Sequence, residues 1–321
     1  MMRKSLLLLV VVVVAFSSSE DDEECSSECS VSKVRVGLEW FLNADHAPFV
    51  LAEKMGFFAD QGLEVELVEP SDHWDSEAEV VAGRLDVVIT EPLHLAKGGL
   101  VGFARFLHTD GGVMYFDDAI KRPRDMCGKT IQYPGAPGPG GPAIVQTMVL
   151  NDGGRCDLES YGRVNFGFEH VKALADKKAD LATLIFSNFE IPAAIDAGHT
   201  DAKFFSLKDN GVPDFCQLVL ATTRHKFQTS KPLLRKLLLA LRKAVALIHA
   251  DPESASALFQ LASPDSPTNT IAATLPLFPN DNSMSLDFYH NLLAWLQSTH
   301  QLNNDSIVHP SIFWSNDIAL P

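Results

Sequence analysis

Basic residues are in short supply in this chain: 26 Lys and Arg stand against 41 Asp and Glu, a formal charge of −15 over 321 residues. A nucleic-acid partner requires a basic face to neutralise its phosphates, so that class of function is excluded, and an anionic membrane surface is disfavoured on the same ground. Cysteine is scarce too. The five thiols, Cys25, Cys29, Cys127, Cys156 and Cys216, are odd in number and too few for a disulfide scaffold. Cys25 and Cys29 are near enough to pair in an oxidising compartment; the other three lie far apart in sequence, lack metal-ligand spacing and are expected as buried thiols. His73, His108 and His199 show no such spacing either, and no metal site is expected. Long apolar runs are missing except at the start. Residues 6–16, behind Arg3 and Lys4 and ahead of Ser17, Ser18 and Ser19, follow the charge, core and small-residue order of a secretory signal and are too short to span a bilayer comfortably. Residues 1–19 are therefore expected to be a signal peptide on an exported protein. Residues 20–32, EDDEECSSECSVS, carry no apolar period and are expected to be a disordered acidic spacer.

What is present is enough apolar content, 46%, to bury a large core, and a length that suggests two lobes. Residues 34–70 organise the rest. Val34, Val36 and Leu38 alternate as a strand with one buried side, residues 47–55 read as a helix with Pro48 in its first turn, and Leu63, Val65 and Leu67 alternate again. Strand, helix and strand in so few residues favour a parallel pair, whose ligands lie beyond the carboxyl ends of the strands. Glu39, Trp40, Asn43, Asp45 and His46 fall there. A second buried strand, residues 85–89, runs into Thr90, Glu91 and His94 on the same edge. A third strand, residues 130–133, leads into a loop rich in Gly and Pro containing Gly135, Gly138, Gly140 and Gly141, ahead of a helical run at residues 143–150. Backbone amides of such a loop can cradle an anion, and a rigid connector is an equal reading. It is neither GxGxxG nor a Walker loop, so a nucleoside triphosphate is not indicated.

Residues 164–168 read as a strand, and residues 179–186 repeat the Asp-then-apolar pattern of residues 85–89 before Ser187, Asn188, Phe189 and Glu190. Two similar lobes facing one cleft are expected: residues 33–115 and 224–321 in lobe 1, residues 116–223 in lobe 2. Residues 111–116 look like an extended crossover and residues 215–221 like a return strand. From Ser230 onward Leu234, Leu237, Leu238, Leu241, Val245 and Ile248 make one apolar helix face, better suited to packing on the first lobe than to a membrane. Further helices are expected at residues 255–261 and 288–296, and Asn304, Asp305 and Ser306 form a glycosylation triplet.

The blocks LEWFLNADHAPFVLAEKMGFFADQGLEVELVEP, AGRLDVVITEPLHL, GKTIQYPGAPGPGG, ADLATLIFSNFE and FWSNDIALP resemble, in order, the family that joins thiamine pyrimidine synthases to periplasmic thiamine-precursor-binding proteins. The match covers most of the chain from Lys33 to Pro321. The resemblance implies the type II periplasmic-binding-protein fold, two α/β lobes with a pyrimidine in the cleft. It implies Trp40 as the aromatic that stacks on the ring, and Asn188 with Glu190 as the polar pair meeting its amino edge. It puts the phosphate of pyridoxal phosphate at Gly135, Gly138, Gly140 and Gly141 in the synthases, and it matches His94 to the histidine consumed there. Asn43, Asp45, His46 and Glu91 complete the candidate ligand set. The departures favour the binding branch: Thr90 stands where the synthases have the lysine that forms an imine, Lys97 lies beyond His94, and Cys216 is the one thiol left of a cysteine cluster. The leading expectation is an exported solute-binding protein for a thiamine-related pyrimidine, without a cofactor and with a membrane transporter as a candidate partner. The alternatives are a hydroxymethylpyrimidine phosphate synthase using pyridoxal phosphate, His94 and iron, and a binding protein for another small solute such as a sulfonate.

Overall fold

The computed structural model describes residues 31–70, 76–96, 98–133, 140–302 and 309–320. The expected signal segment, most of the acidic spacer, His73, Lys97, Gly135, Gly138 and the triplet at residues 304–306 lie outside the described residues. Among those described, ten strands form two sheets. In chain order they are β1 Ser32–Gly37, β2 Leu63–Val68, β3 Val87–Thr90, β4 Leu100–His108, β5 Gly111–Tyr115, β6 Thr130–Gln132, β7 Gly162–Val164, β8 Leu181–Phe186, β9 Lys203–Ser206 and β10 Gln217–Thr223. The first sheet runs β2-β1-β3-β10-β4 and the second β7-β6-β8-β5-β9. In each, three parallel strands are followed by one antiparallel strand that arrives from the other lobe's side of the chain. Ser32, expected as the last spacer residue, already pairs with Leu63.

Why β1 and β2 pair in parallel is visible in their side chains. Val34 and Val36 are buried while Lys33 is exposed and Arg35 half-buried, so one face must be covered. The helix Ala47–Lys54, opened by Pro48, covers it with Phe49 and Leu51, both fully buried. Gly62, at φ +67°, makes the left-handed turn into β2 that a side chain would resist. On the outside lies the helix Lys231–Ala250, with Leu234, Leu237, Leu238, Leu241, Val245 and Ile248 against the same core and Arg235, Lys236 and Lys243 exposed. Each such leucine contributes roughly 1.5–3 kcal/mol by leaving water, which seats this helix on the lobe.

The boundaries between lobes differ from the sequence expectation. β5 belongs to the second sheet and β10 to the first, so the chain crosses at residues 109–110 and again at residues 207–216. The reason is pairing: β5 hydrogen-bonds β8 and β9, and β10 bonds β3 and β4. The two crossings touch, since the Thr109 N–H donates to the Cys216 carbonyl at 3.1 Å. A Cβ at Gly111 would lie 1.7 Å from the Cys216 Sγ, so glycine is required there.

Three further departures have physical causes. The strand expected at residues 164–168 is β7 at Gly162–Val164, because residues 165–168 turn away under the hold of the Gln132 amide. The helix Thr268–Thr274, TNTIAAT, has too little apolar period to be read in advance. Cys127 and Cys156, expected as thiols, form a disulfide with Cα atoms 5.7 Å apart, because the helix Gly140–Asn151 carries the chain back across the intervening residues. Cys216 is the buried free thiol expected.

Candidate functional site

The first lobe presents the residues that follow β1 and β3. Glu69, just past β2, accepts the Leu42 N–H at 3.0 Å and pins the loop after β1. Asn43 caps the turn Ala44–His46, its Oδ1 accepting the Asp45 N–H at 2.8 Å and its own N–H donating to His46 Nδ1 at 3.1 Å. His46 is fully buried, and its Nε2 donates to Glu39, whose two oxygens both lie 3.1 Å away. Burial pushes this imidazole pKa down, but the carboxylates of Glu39, Asp45 and Glu69 prevail and the net direction is up. Charging the ring would still break the hydrogen bond that Nδ1 accepts from Asn43. On the neighbouring loop His94 Nδ1 stands 2.9 Å from Glu77 Oε1, which also accepts the Thr90 hydroxyl at 2.6 Å.

The second lobe answers with the residues around β8. β8 carries a bulge against β5, and Leu184 within it sits at φ +56°, a conformation a leucine adopts only under constraint. The helix Ser187–Asp196 follows directly, and the Glu190 carboxylate folds back to accept the Phe186 N–H at 2.8 Å. Burial pushes the Glu190 carboxyl up to about 8, with Asp45 adding to the rise, so the group is largely protonated at neutral pH. Asp45 is raised to about 6, mainly by burial and against the pull of His46. Asn188, on the same helix, donates to Asp45 Oδ1 at 2.7 Å and to Thr274 Oγ1 at 2.9 Å, tying the lobes together. The rings of Phe168 and Phe189 approach Trp40 from the second lobe with centroids 4.7 and 4.9 Å away.

Between the lobes is a cavity of about 300 Å³. Of the residues singled out in the sequence, Trp40, Asp45, Glu91, His94 and Glu190 line it, Trp40 from the first lobe and Glu190 from the second. Asn43, His46 and Asn188 do not; Asn43 and His46 are engaged by each other, Glu39 and the backbone, and the Asn188 amide nitrogen by Asp45 and Thr274, one layer behind the wall. Gly140 and Gly141 do not line it either. They open the helix Gly140–Asn151 beneath Tyr133, where added Cβ atoms would meet the Tyr133 hydroxyl at 2.9 Å and the Thr183 hydroxyl at 2.8 Å. Sequence reasoning missed Tyr133, Phe168, His170, Leu184, Phe186 and Leu218, and left Glu39 in its loop without a role. Tyr133 had a usable signal, since it follows a parallel strand at its carboxyl end. Phe168 and His170 had none, because the turn that aims them is made by Gln132.

The model of the NMT1/THI5-like family matches residues 43–255, more than half of the chain. The chain belongs to the NMT1/THI5-like family. A relative, the formylaminopyrimidine-binding protein of Halalkalibacterium halodurans, is 28% identical over 239 residues, 72% of this chain and 70% of its own. The 4-amino-5-hydroxymethyl-2-methylpyrimidine phosphate synthase THI11 of Saccharomyces cerevisiae is 25% identical over 242 residues, 70% of each chain. Among solved structures, the alkanesulfonate-binding protein SsuA of Xanthomonas axonopodis pv. citri superposes with a TM-score of 0.68 at 15% identity, covering 88% of this chain and 98% of that one. This NMT1/THI5-like chain therefore has the two-lobe type II periplasmic-binding fold. Pyridoxal phosphate needs an amine for its imine, and Thr90, four positions before His94, offers a hydroxyl already committed to Glu77. No lysine occurs among the described residues that line the cavity. No cluster of three or more His, Cys, Asp or Glu suited to a metal ion occurs among the described residues, and no helix among them is long and apolar enough to cross a membrane.

Proposed function

We propose that the cleft binds a small, flat, amine-bearing pyrimidine of the thiamine-precursor class, and that the protein is an exported solute-binding protein. The observation that carries this reading is that Trp40 of one lobe and Glu190 of the other line a single cavity of about 300 Å³. An indole supplies apolar area and a π face to a planar ring. A carboxyl group held in its protonated form both donates and accepts, which complements the adjacent ring nitrogen and exocyclic amine of an aminopyrimidine. Glu39, Asp45 and Glu91 add acceptors around it, and no Lys or Arg occurs among the described lining residues. Such a wall repels a sulfonate or another anion, which counts against that reading despite the shared fold. The formylaminopyrimidine-binding relative supports the ligand class, and the disulfide between Cys127 and Cys156 supports an oxidising compartment and hence export.

Titration calorimetry of the protein with hydroxymethylpyrimidine and with formylaminopyrimidine tests the proposal directly; heat with an alkanesulfonate and none with either pyrimidine would refute it. The synthase reading has its own assay. An imine absorbance band with pyridoxal phosphate, trapped by borohydride, would move the protein to the enzymatic branch.

A further inference from the structure

His170 is a polar wall residue with an unpartnered ring nitrogen among the described residues. Its ring lines the cleft cavity and is 2% exposed, and its Nδ1 meets no hydrogen-bond partner among the described residues. An unpaired buried nitrogen costs on the order of 1–3 kcal/mol, a cost the fold could avoid with an apolar residue of similar size. The ring is also held in place with some care. Gln132, fully buried at the end of β6, donates from Nε2 to the Gly167 carbonyl at 2.7 Å and accepts the Phe166 N–H on Oε1 at 2.9 Å. That clamp turns the chain at residues 165–168 so that Phe168 and His170 both reach the cavity. Burial pushes the imidazole pKa down to about 4, which leaves a neutral ring with one donor and one acceptor.

Glu190 enters the cavity from the helix after β8, while His170 enters from the first position of the helix His170–Ala175, so the two polar groups reach one bound ring from different elements. We propose that His170 is a specificity-determining residue that reads a short polar arm on the pyrimidine, a hydroxyl or an amide, while the ring and its amine are held by Trp40 and Glu190. This rests on the pyrimidine-binding reading above and extends it from the ring to its substituent.

The test uses three probes: hydroxymethylpyrimidine, formylaminopyrimidine, and 4-amino-2,5-dimethylpyrimidine, which keeps the ring and amine and lacks the polar arm. With the wild-type protein, the dimethyl analogue is expected to bind about tenfold to a hundredfold more weakly than at least one armed ligand, the range of a lost hydrogen bond to a buried group. In His170→Phe, which preserves bulk and removes both nitrogens, the armed ligands should fall by the same factor while the dimethyl analogue changes little. His170→Gln, which restores a donor and an acceptor, should recover part of the loss. Equal losses for all three probes, or no loss for any, would overturn the role of His170 and leave the pyrimidine reading standing. If His170→Phe does not fold, equal wild-type affinities for the dimethyl and both armed ligands overturn it on their own. Failure of the wild-type protein to bind any of the three overturns both.

Discussion

At the scale of single residues the cleft is built from groups held away from their ordinary states. Glu190 is the clearest case. Its carboxyl is raised from 4.5 to about 8 in the folded protein by burial, so the fold holds its proton more tightly than the unfolded chain does. Stability from this group is complete below the unfolded value and is lost as pH rises through about 8. Glu190→Gln, close in shape to the protonated acid, should flatten the decline of melting temperature between pH 5 and 9; an unchanged slope would show that Glu190 is not the group responsible. Leu184 stores strain instead of charge. A left-handed leucine costs roughly 1–3 kcal/mol, so Leu184→Gly should relieve that strain while removing side-chain contacts from the cavity wall. We expect stability in urea to be nearly unchanged and pyrimidine affinity to drop, a separation that a purely structural leucine would not give. Trp40→Ala should weaken pyrimidine binding by a few kcal/mol at most, the order of an aromatic stack plus its lost area. Equal affinity in calorimetry would remove Trp40 from the site.

At the scale of elements, the crossings between sheets show how tightly the hinge is specified. Gly111 starts β5 directly against Cys216, and an added Cβ would overlap the thiol. Gly111→Ala should destabilise the protein by about 1–3 kcal/mol in urea unfolding, as overpacking does. The double variant Gly111→Ala with Cys216→Gly should recover part of that loss; strictly additive losses would mean the two crossings are not coupled there. Most elements were legible in the chain because their apolar periods were strong: β1, β2, the helix Ala47–Lys54 and the helix Lys231–Ala250 all match their patterns within a few residues. β7 was misjudged because Phe166 and Phe168 imitate strand alternation while Gln132, more than thirty residues earlier, bends their backbone into a turn. β9 and the helix Thr268–Thr274 escaped because neither carries enough apolar period to stand out.

At the scale of the whole molecule, the lobes meet through apolar packing that joins Val88 and Val219 to Ile131 and Leu181, and through polar side chains. Asn188 is the most economical of them, since one amide donates to Asp45 of the first lobe and to Thr274 of the C-terminal segment. It does not line the cavity, so its effect on binding must pass through the closed arrangement of the lobes. Asn188→Ala should weaken pyrimidine binding about tenfold, chiefly by faster release, on the scale of one or two lost hydrogen bonds. Stopped-flow dissociation measures this, and an unchanged release rate would assign the closure to other contacts. Ligand should also raise the melting temperature in proportion to the logarithm of its concentration once above its dissociation constant.

The amino-acid order alone determined the α/β class, the duplicated strand-to-loop units and the residues at the ends of the parallel strands, because each follows from local period and from the rule that such strands deliver their loops to one edge. Trp40, Asp45, Glu91, His94 and Glu190 could be named that way. Which polar residues face the cavity and which stand behind it was decided only by the folded chain. Asn43, His46 and Asn188 look as suitable as Asp45 or Glu190 in the sequence, but Asn43 and His46 are tied to each other and to Glu39, and the Asn188 amide nitrogen is turned to Asp45 and Thr274, which only the folded chain brings within 2.9 Å of it. The disulfide between Cys127 and Cys156, the strained Leu184 and the aim of His170 arise in the same way, from contacts between segments whose meeting no local pattern encodes.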